Sequence, residues 1–101
     1  MPTKITLVIG NPTDVPAFEA AWPALLDAAR QLARVRRVES ARVWPKEDGT
    51  PTPAHRTLDL YFDDYGDASA ATATAEAGAL FGGLAATGTS VTGLFSDVEQ
   101  D

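Results

Sequence analysis

The stretch Thr3-Lys4-Ile5-Thr6-Leu7-Val8-Ile9-Gly10-Asn11-Pro12-Thr13-Asp14 holds a strand, a stop and a helix cap. Ile5, Leu7 and Ile9 recur at period two with Val8 on the opposite face, the pattern of a strand with one buried side. Gly10-Asn11-Pro12 ends it. Asp14 then offers a carboxylate to the free amides of a helix N-terminus, and Pro16 falls in the first turn, where its missing N–H costs nothing. Beyond it Val15, Phe18, Trp22, Leu25, Leu26, Ala29, Leu32 and Ala33 repeat at three- and four-residue intervals, with Glu19, Asp27, Arg30 and Arg34 off the stripe. Pro23 removes one intrahelical hydrogen bond and clashes with the preceding turn, so a kink or restart is predicted near Trp22.

The rest of the chain reads in the same terms. Val35 to Trp44 is β-branched and alternating, a second strand, and the run from Pro45 to Pro53 is a proline- and glycine-bearing loop. Arg56 to Phe62 places Leu58, Leu60 and Phe62 on one face and Thr57, Asp59 and Tyr61 on the other, a third strand. Asp63 to Asp67 is a break. Asp67 to Ala86 is alanine-rich and weakened by Thr72, Thr74, Gly78 and Gly82-Gly83, which predicts two short helices with Thr74 capping the second. Val91 to Ser96 is a fourth strand, and residues 96–101 are expected to be a flexible acidic tail.

The resulting order, βαββαβ, is that of an α+β, ferredoxin-like domain: a four-stranded antiparallel sheet with helices on one face. At 101 residues the chain has room for one domain, 1–101. Val8 and Tyr61 lie on the sheet face that one helix layer leaves bare, and the chain is short and rich in alanine, with eighteen such residues. A second copy packed there in a two-fold contact would complete the core, which predicts a homodimer.

Composition excludes several classes of function. Fourteen acidic and eight basic side chains give a net charge of −6, which opposes binding to nucleic acid or to an anionic membrane. The order βαββαβ is shared with RNA-recognition domains, but the third strand lacks their glycine-aromatic pattern and the first has no stacking aromatic. No cysteine and a single histidine leave no thiolate nucleophile and no cysteine or multi-histidine metal site, so neither a metal nor a cofactor is expected. The apolar run Ile5 to Ile9 is too short for a signal segment or a membrane span, and a cytoplasmic location is expected.

Ile9-Gly10-Asn11-Pro12-Thr13-Asp14 leading to Phe18, the Arg36-Arg37 pair, Arg42-Val43, and His55-Arg56 followed by Leu60-Tyr61-Phe62-Asp63 together resemble the EthD family over nearly the whole chain. The resemblance implies a dimeric α+β barrel, in which the sheets of two subunits close on one another and each subunit keeps a cavity between its sheet and helices. Relatives of that barrel include cofactor-independent oxygenases, cyclases and isomerases, so the resemblance specifies architecture better than reaction. The chain departs from the family in the first helix. Where members commonly carry a histidine pair followed closely by proline, it has Trp22-Pro23-Ala24.

His55 is the one side chain whose ordinary pKa lies near neutrality, hence the candidate general acid or base. A structural or exposed histidine is the competing reading. Asp59 is about 13 Å further along an extended strand, too far for a direct dyad, so an orienting partner has to come from another element. Trp22, Trp44, Tyr61 and Phe81 are the candidate ligand-binding residues, able to line a cavity for a small, mostly apolar molecule; the competing reading is ordinary core. Asp63, Asp64 and Asp67 lack the spacing of a calcium loop and suit turns and caps. Gly10 and Gly82-Gly83 lack the spacing of a phosphate-cradling loop. Arg30, Arg34, Arg36, Arg37 and Arg42 form either an anion-binding surface or a solvated face paired with Glu19, Asp27 and Glu39. Two functions remain: a small-molecule catalyst that works without a cofactor, and a non-catalytic dimeric accessory or binding protein.

Overall fold

A computed structural model describes residues 1–99. Its elements are β1 (Thr3–Ile9), α1 (Val15–Arg30), β2 (Arg37–Arg42), β3 (Arg56–Phe62), α2 (Tyr65–Ala71), α3 (Ala75–Ala86) and β4 (Val91–Asp97). The strands form one sheet in the order β2-β3-β1-β4, with every neighbouring pair antiparallel. This is the ferredoxin-like α+β fold, and β1 and β3 have the bounds their alternation predicts.

One sheet face is the core. Ile5, Leu7 and Ile9 of β1 and Leu58, Leu60 and Phe62 of β3 are buried against Phe18, Trp22, Leu25 and Ala29 of α1, Ala68 and Ala71 of α2, and Ala77, Leu80 and Leu84 of α3. The small residues let α1 and α3 sit close together: a methyl at Gly83 would fall 2.5 Å from Leu25 Cδ2. Asp14, Asp64 and Thr74 cap the three helices, each accepting the N–H of the residue three positions on. Thr74 thus starts a second segment, as the sequence predicts.

Several boundaries differ from the expectation. Helix α1 runs through Pro23 without a restart. Pro23 is exposed, so the Glu19 carbonyl it leaves unpaired faces the wet side of the helix. The helix ends at Arg30, and Arg34 adopts φ +66°, turning the chain toward β2. Strand β2 is shorter than Val35 to Trp44: Val35 packs on the core from the preceding turn, and past Arg42 Val43 N–H still reaches the His55 carbonyl at 3.1 Å. Helix α2 begins two residues earlier than Asp67 because Asp64 caps it. The expected acidic tail is corrected at its start: Ser96 and Asp97 belong to β4, and Asp97 accepts a hydrogen bond from Thr3 at 2.9 Å. Positions 100 and 101 of that tail lie outside the described residues.

The open sheet face is more polar than Val8 and Tyr61 alone suggest. The register adds Ala41 and Leu94 to them, but also Lys4, Thr6, Arg37, Glu39, Thr57, Asp59, Thr92 and Ser96. Thr6 and Lys4 both reach Asp59, and Arg37 pairs with Glu39 while lying 4.7 Å from the Tyr61 ring centre. Among the described residues no helix is long and apolar enough to cross a membrane.

Candidate functional site

The site is built where β1, β2 and β3 end together. His55 N–H donates to the Ile9 carbonyl at 2.7 Å and the His55 carbonyl accepts from Val43 N–H, so its backbone is tied to both neighbouring strands. Residue 55 sits in a bend just before β3. In a regular strand His55 and Arg56 would point to opposite faces; the bend turns both toward α1.

There they meet Glu19. His55 Nε2 lies 3.2 Å from Glu19 Oε2, while Arg56 donates from Nε to Oε2 at 3.0 Å and from Nη2 to Oε1 at 2.6 Å, a two-pronged clamp on the carboxylate. Aromatic faces hold the group in place. The His55 ring stands edge-on to Phe18 at 5.4 Å, Phe18 stacks on Trp22 at 5.6 Å, and the Arg56 guanidinium lies 5.1 Å over the Trp22 ring.

The clamp sets the charge. Hydrogen bonding from Arg56 holds the Glu19 carboxyl down to about 2, below its ordinary 4.5, against the opposing effect of burial and with a further contribution from the His55 hydrogen bond. An ionised carboxylate has no proton to give, so in this contact His55 Nε2 is the donor. In a neutral imidazole the lone pair is then on Nδ1, which bonds to no protein atom among the described residues and is not sealed in. A histidine oriented by a carboxylate, with its other nitrogen free, is equipped to take or give a proton.

Beside it lies a cleft of about 760 Å³, within the range of small-molecule sites. Its walls include Val15 at the start of α1, Arg42 and Val43 at the end of β2, Trp44, Pro51 and His55. Asn11 braces the far wall by donating to the Thr52 carbonyl at 2.7 Å.

Two of the candidate catalytic and ligand-binding residues come together here, His55 and Trp44, the latter 87% exposed. The other three lie elsewhere. Trp22 is 5% exposed in the core beneath Arg56, Tyr61 is on the open sheet face among Arg37, Lys4 and Glu39, and Phe81 packs at the far end of the core, around a gap too small for a water molecule. The cleft therefore opens at the strand ends and not beneath α1, because Phe18, Trp22 and Leu25 fill the space there.

Glu19 has a role that the sequence reading did not assign. Its pairing with the arginines of residues 30–42 is corrected: Arg30 pairs with Asp27, Arg34 with Asp67, Arg36 with Asp63 and Arg37 with Glu39, while Glu19 belongs to Arg56 and His55. The one available signal was its place next to Phe18, on the edge of the apolar stripe. The cap and pairing roles of Asp63, Asp64 and Asp67 match the turn reading, and among the described residues no group of three acidic or histidine side chains is placed to hold a metal ion.

No protein-family model and no curated protein matches the chain. Solved structures do. An EthD family protein from Bacillus halodurans superposes with a TM-score of 0.87 at 18% identity, covering 98% of this chain and 100% of its own. SnoaB, a cofactor-independent oxygenase from Streptomyces nogalater, gives 0.71 at 12% identity over 99% and 95%. A dimeric ferredoxin-like protein of unknown function from Thermobifida fusca gives 0.75 at 12% identity over 97% and 92%. At these identities what is shared is the fold: the chain has the EthD-like, ferredoxin-like architecture that its sequence resembles.

Proposed function

We propose that the chain works as a cytoplasmic homodimer of the EthD-like kind, binding a small, mostly apolar organic molecule in the cleft at the strand ends and moving a proton on it with His55. The observation that carries this reading is the position of His55, held by Glu19 through Nε2 and bordering a cleft whose walls are largely apolar. The likeness to an EthD family protein, to a cofactor-independent oxygenase and to a dimeric protein supports it. Chemistry that needs only a positioned base and a shaped cleft is compatible with such a site.

A non-catalytic binding role is the second reading. It is favoured by Trp22, which stands buried in the core where the EthD family commonly has its first-helix histidines.

Two measurements on the full chain test the proposal. The chain has one histidine, so diethyl pyrocarbonate reports on His55 alone. The neutral probe 1-naphthamide should slow that modification severalfold by occupying the cleft, and an unchanged rate up to the probe's solubility limit would overturn cleft binding. Light scattering at micromolar concentration should give twice the 10.6 kDa chain mass. Leu94→Asp, on the open face and 52% exposed in the single chain, should shift that mass toward the monomer while leaving the circular dichroism unchanged, because it would bury an unpaired charge against the partner. A monomeric wild type sinks the dimer.

A further inference from the structure

The wall of the cleft carries a positive charge that no described residue neutralises. Of the six arginines, five are ion-paired: Arg30, Arg34, Arg36, Arg37 and Arg56, with Asp27, Asp67, Asp63, Glu39 and Glu19. Arg42 alone pairs with no acidic side chain among the described residues, in a chain with almost twice as many acidic as basic groups. It lines the cleft.

Its neighbour sharpens the point. Arg42 is directly opposite Arg56 in the β2–β3 register, so two guanidinium-bearing residues face one another across adjacent strands, an unfavourable pairing when nothing offsets it. The carboxylate that meets Arg56 is committed: Glu19 gives both oxygens to Arg56 and shares Oε2 with His55. None of the described residues lining the cleft has a carboxylate. Asp14, just before Val15, lies close by but its carboxylate accepts Ala17 N–H at the helix cap. Arg42 is thus the one permanently charged side chain among the described residues lining the cleft, in a protein of net charge −6.

The remaining lining says what kind of anion would suit it. Val15, Val43, Trp44, Pro45 and Pro51 provide apolar surface, and an indole left 87% exposed at the rim offers a flat face for stacking. A planar guanidinium matches a carboxylate through two parallel hydrogen bonds, whereas a small inorganic anion would leave the apolar walls unused. Val43 N–H donates to the His55 carbonyl, so the residue carrying the cation and the residue carrying the base stand next to each other at the ends of paired strands.

We propose that the cleft takes a small organic monocarboxylate whose flat apolar body lies along Trp44 and whose anionic end is held by Arg42. This rests on the cleft-binding reading above and narrows it to a ligand class. Arg42 then acts as the anchor, and the ligand's apolar body is presented to His55.

Titration of the full-length protein with 1-naphthoate and with its neutral counterpart 1-naphthamide, followed by calorimetry and by backbone amide shifts of residues 42–55, tests it. Naphthoate should bind at least about tenfold more tightly than the amide. Arg42→Gln should abolish that preference by bringing naphthoate down to the affinity of the amide, and Arg30→Gln, which removes a paired arginine elsewhere, should preserve it. Equal affinity on the wild type, or a preference that survives Arg42→Gln, overturns the carboxylate assignment and leaves cleft binding standing. If neither probe moves the cleft resonances, both readings fall.

Discussion

Glu19 Oε2 lies 3.2 Å from His55 Nε2, although 36 positions separate the two residues in the chain. The contact exists because a helix packed on the sheet brings its second turn over the point where β3 begins, and because a bend before that strand turns two consecutive side chains the same way. Arg56 completes the arrangement by clamping the same carboxylate. One acidic residue therefore orients the candidate base and neutralises a half-buried cation.

Glu19 should make stability depend on acid pH. Its carboxyl titrates near 2 in the folded chain against an ordinary 4.5. A carboxylate with a depressed folded pKa contributes stability that is complete above about pH 4.5 and is lost as pH falls toward 2. The shift sets a ceiling of about 3 kcal/mol, and solvent screening of this partly exposed pair lowers it to roughly 1–2 kcal/mol. Urea denaturation should show Glu19→Gln less stable than wild type by that amount at pH 7, with the gap narrowing below pH 4.5 and closing only as pH falls through about 2. A gap independent of pH would remove the charge from the explanation.

His55 should act as a base on carbon acids that fit the cleft. Ring opening of 5-nitrobenzisoxazole is a convenient probe: the base takes the ring C–H proton as the N–O bond breaks, giving a cyanophenolate visible by absorbance. His55→Asn should lower the protein-dependent rate by roughly a hundredfold. Glu19→Gln should lower it less and alter its pH profile, since it acts through the imidazole. Equal rates for wild type and His55→Asn would leave the binding role ahead.

The two tryptophans should report different things. Trp44 is exposed at the cleft, so its emission should shift and saturate when 1-naphthamide binds, a response read in Trp22→Phe. Trp22 is packed between Phe18 and Arg56, so in Trp44→Phe the emission should ignore the probe. Trp22→Ala should cost about 3–5 kcal/mol in denaturant melts, as a large-to-small change in a filled core does. A Trp22 signal that saturates with the probe would move the site under α1.

Adjacent glycines in α3 should respond in opposite directions. A methyl at Gly82 meets nothing within 4 Å, so Gly82→Ala should stabilise the chain by about 0.5–1 kcal/mol through helix propensity. Gly83→Ala would put its methyl 2.5 Å from Leu25 Cδ2, forcing Leu25 aside and cancelling or reversing that gain. Thermal melts of the two variants compare them directly, and an equal gain from both would contradict the close packing of α3 on α1.

Local physics in the sequence was enough to determine β1, β3, the Asp14 and Thr74 caps and the order βαββαβ, since period-two alternation and capping are written in neighbouring residues. The same pattern put Phe18, Trp22, Leu25 and Ala29 on the buried side of α1. It made His55 a candidate because its chemistry belongs to the residue itself. What the tertiary structure alone decided is which groups meet. The Glu19–His55–Arg56 cluster joins a helix to a strand start, and its key step, the bend that breaks the alternation of residues 55 and 56, leaves no periodic trace. Likewise, the placing of Trp44 at the cleft follows from where the β2–β3 loop lies in space, because an indole outside a periodic stripe carries no mark of what will pack around it. The same holds for Arg42: six arginines look alike in sequence, and only the register of β2 on β3 and the pairing of the other five set it apart.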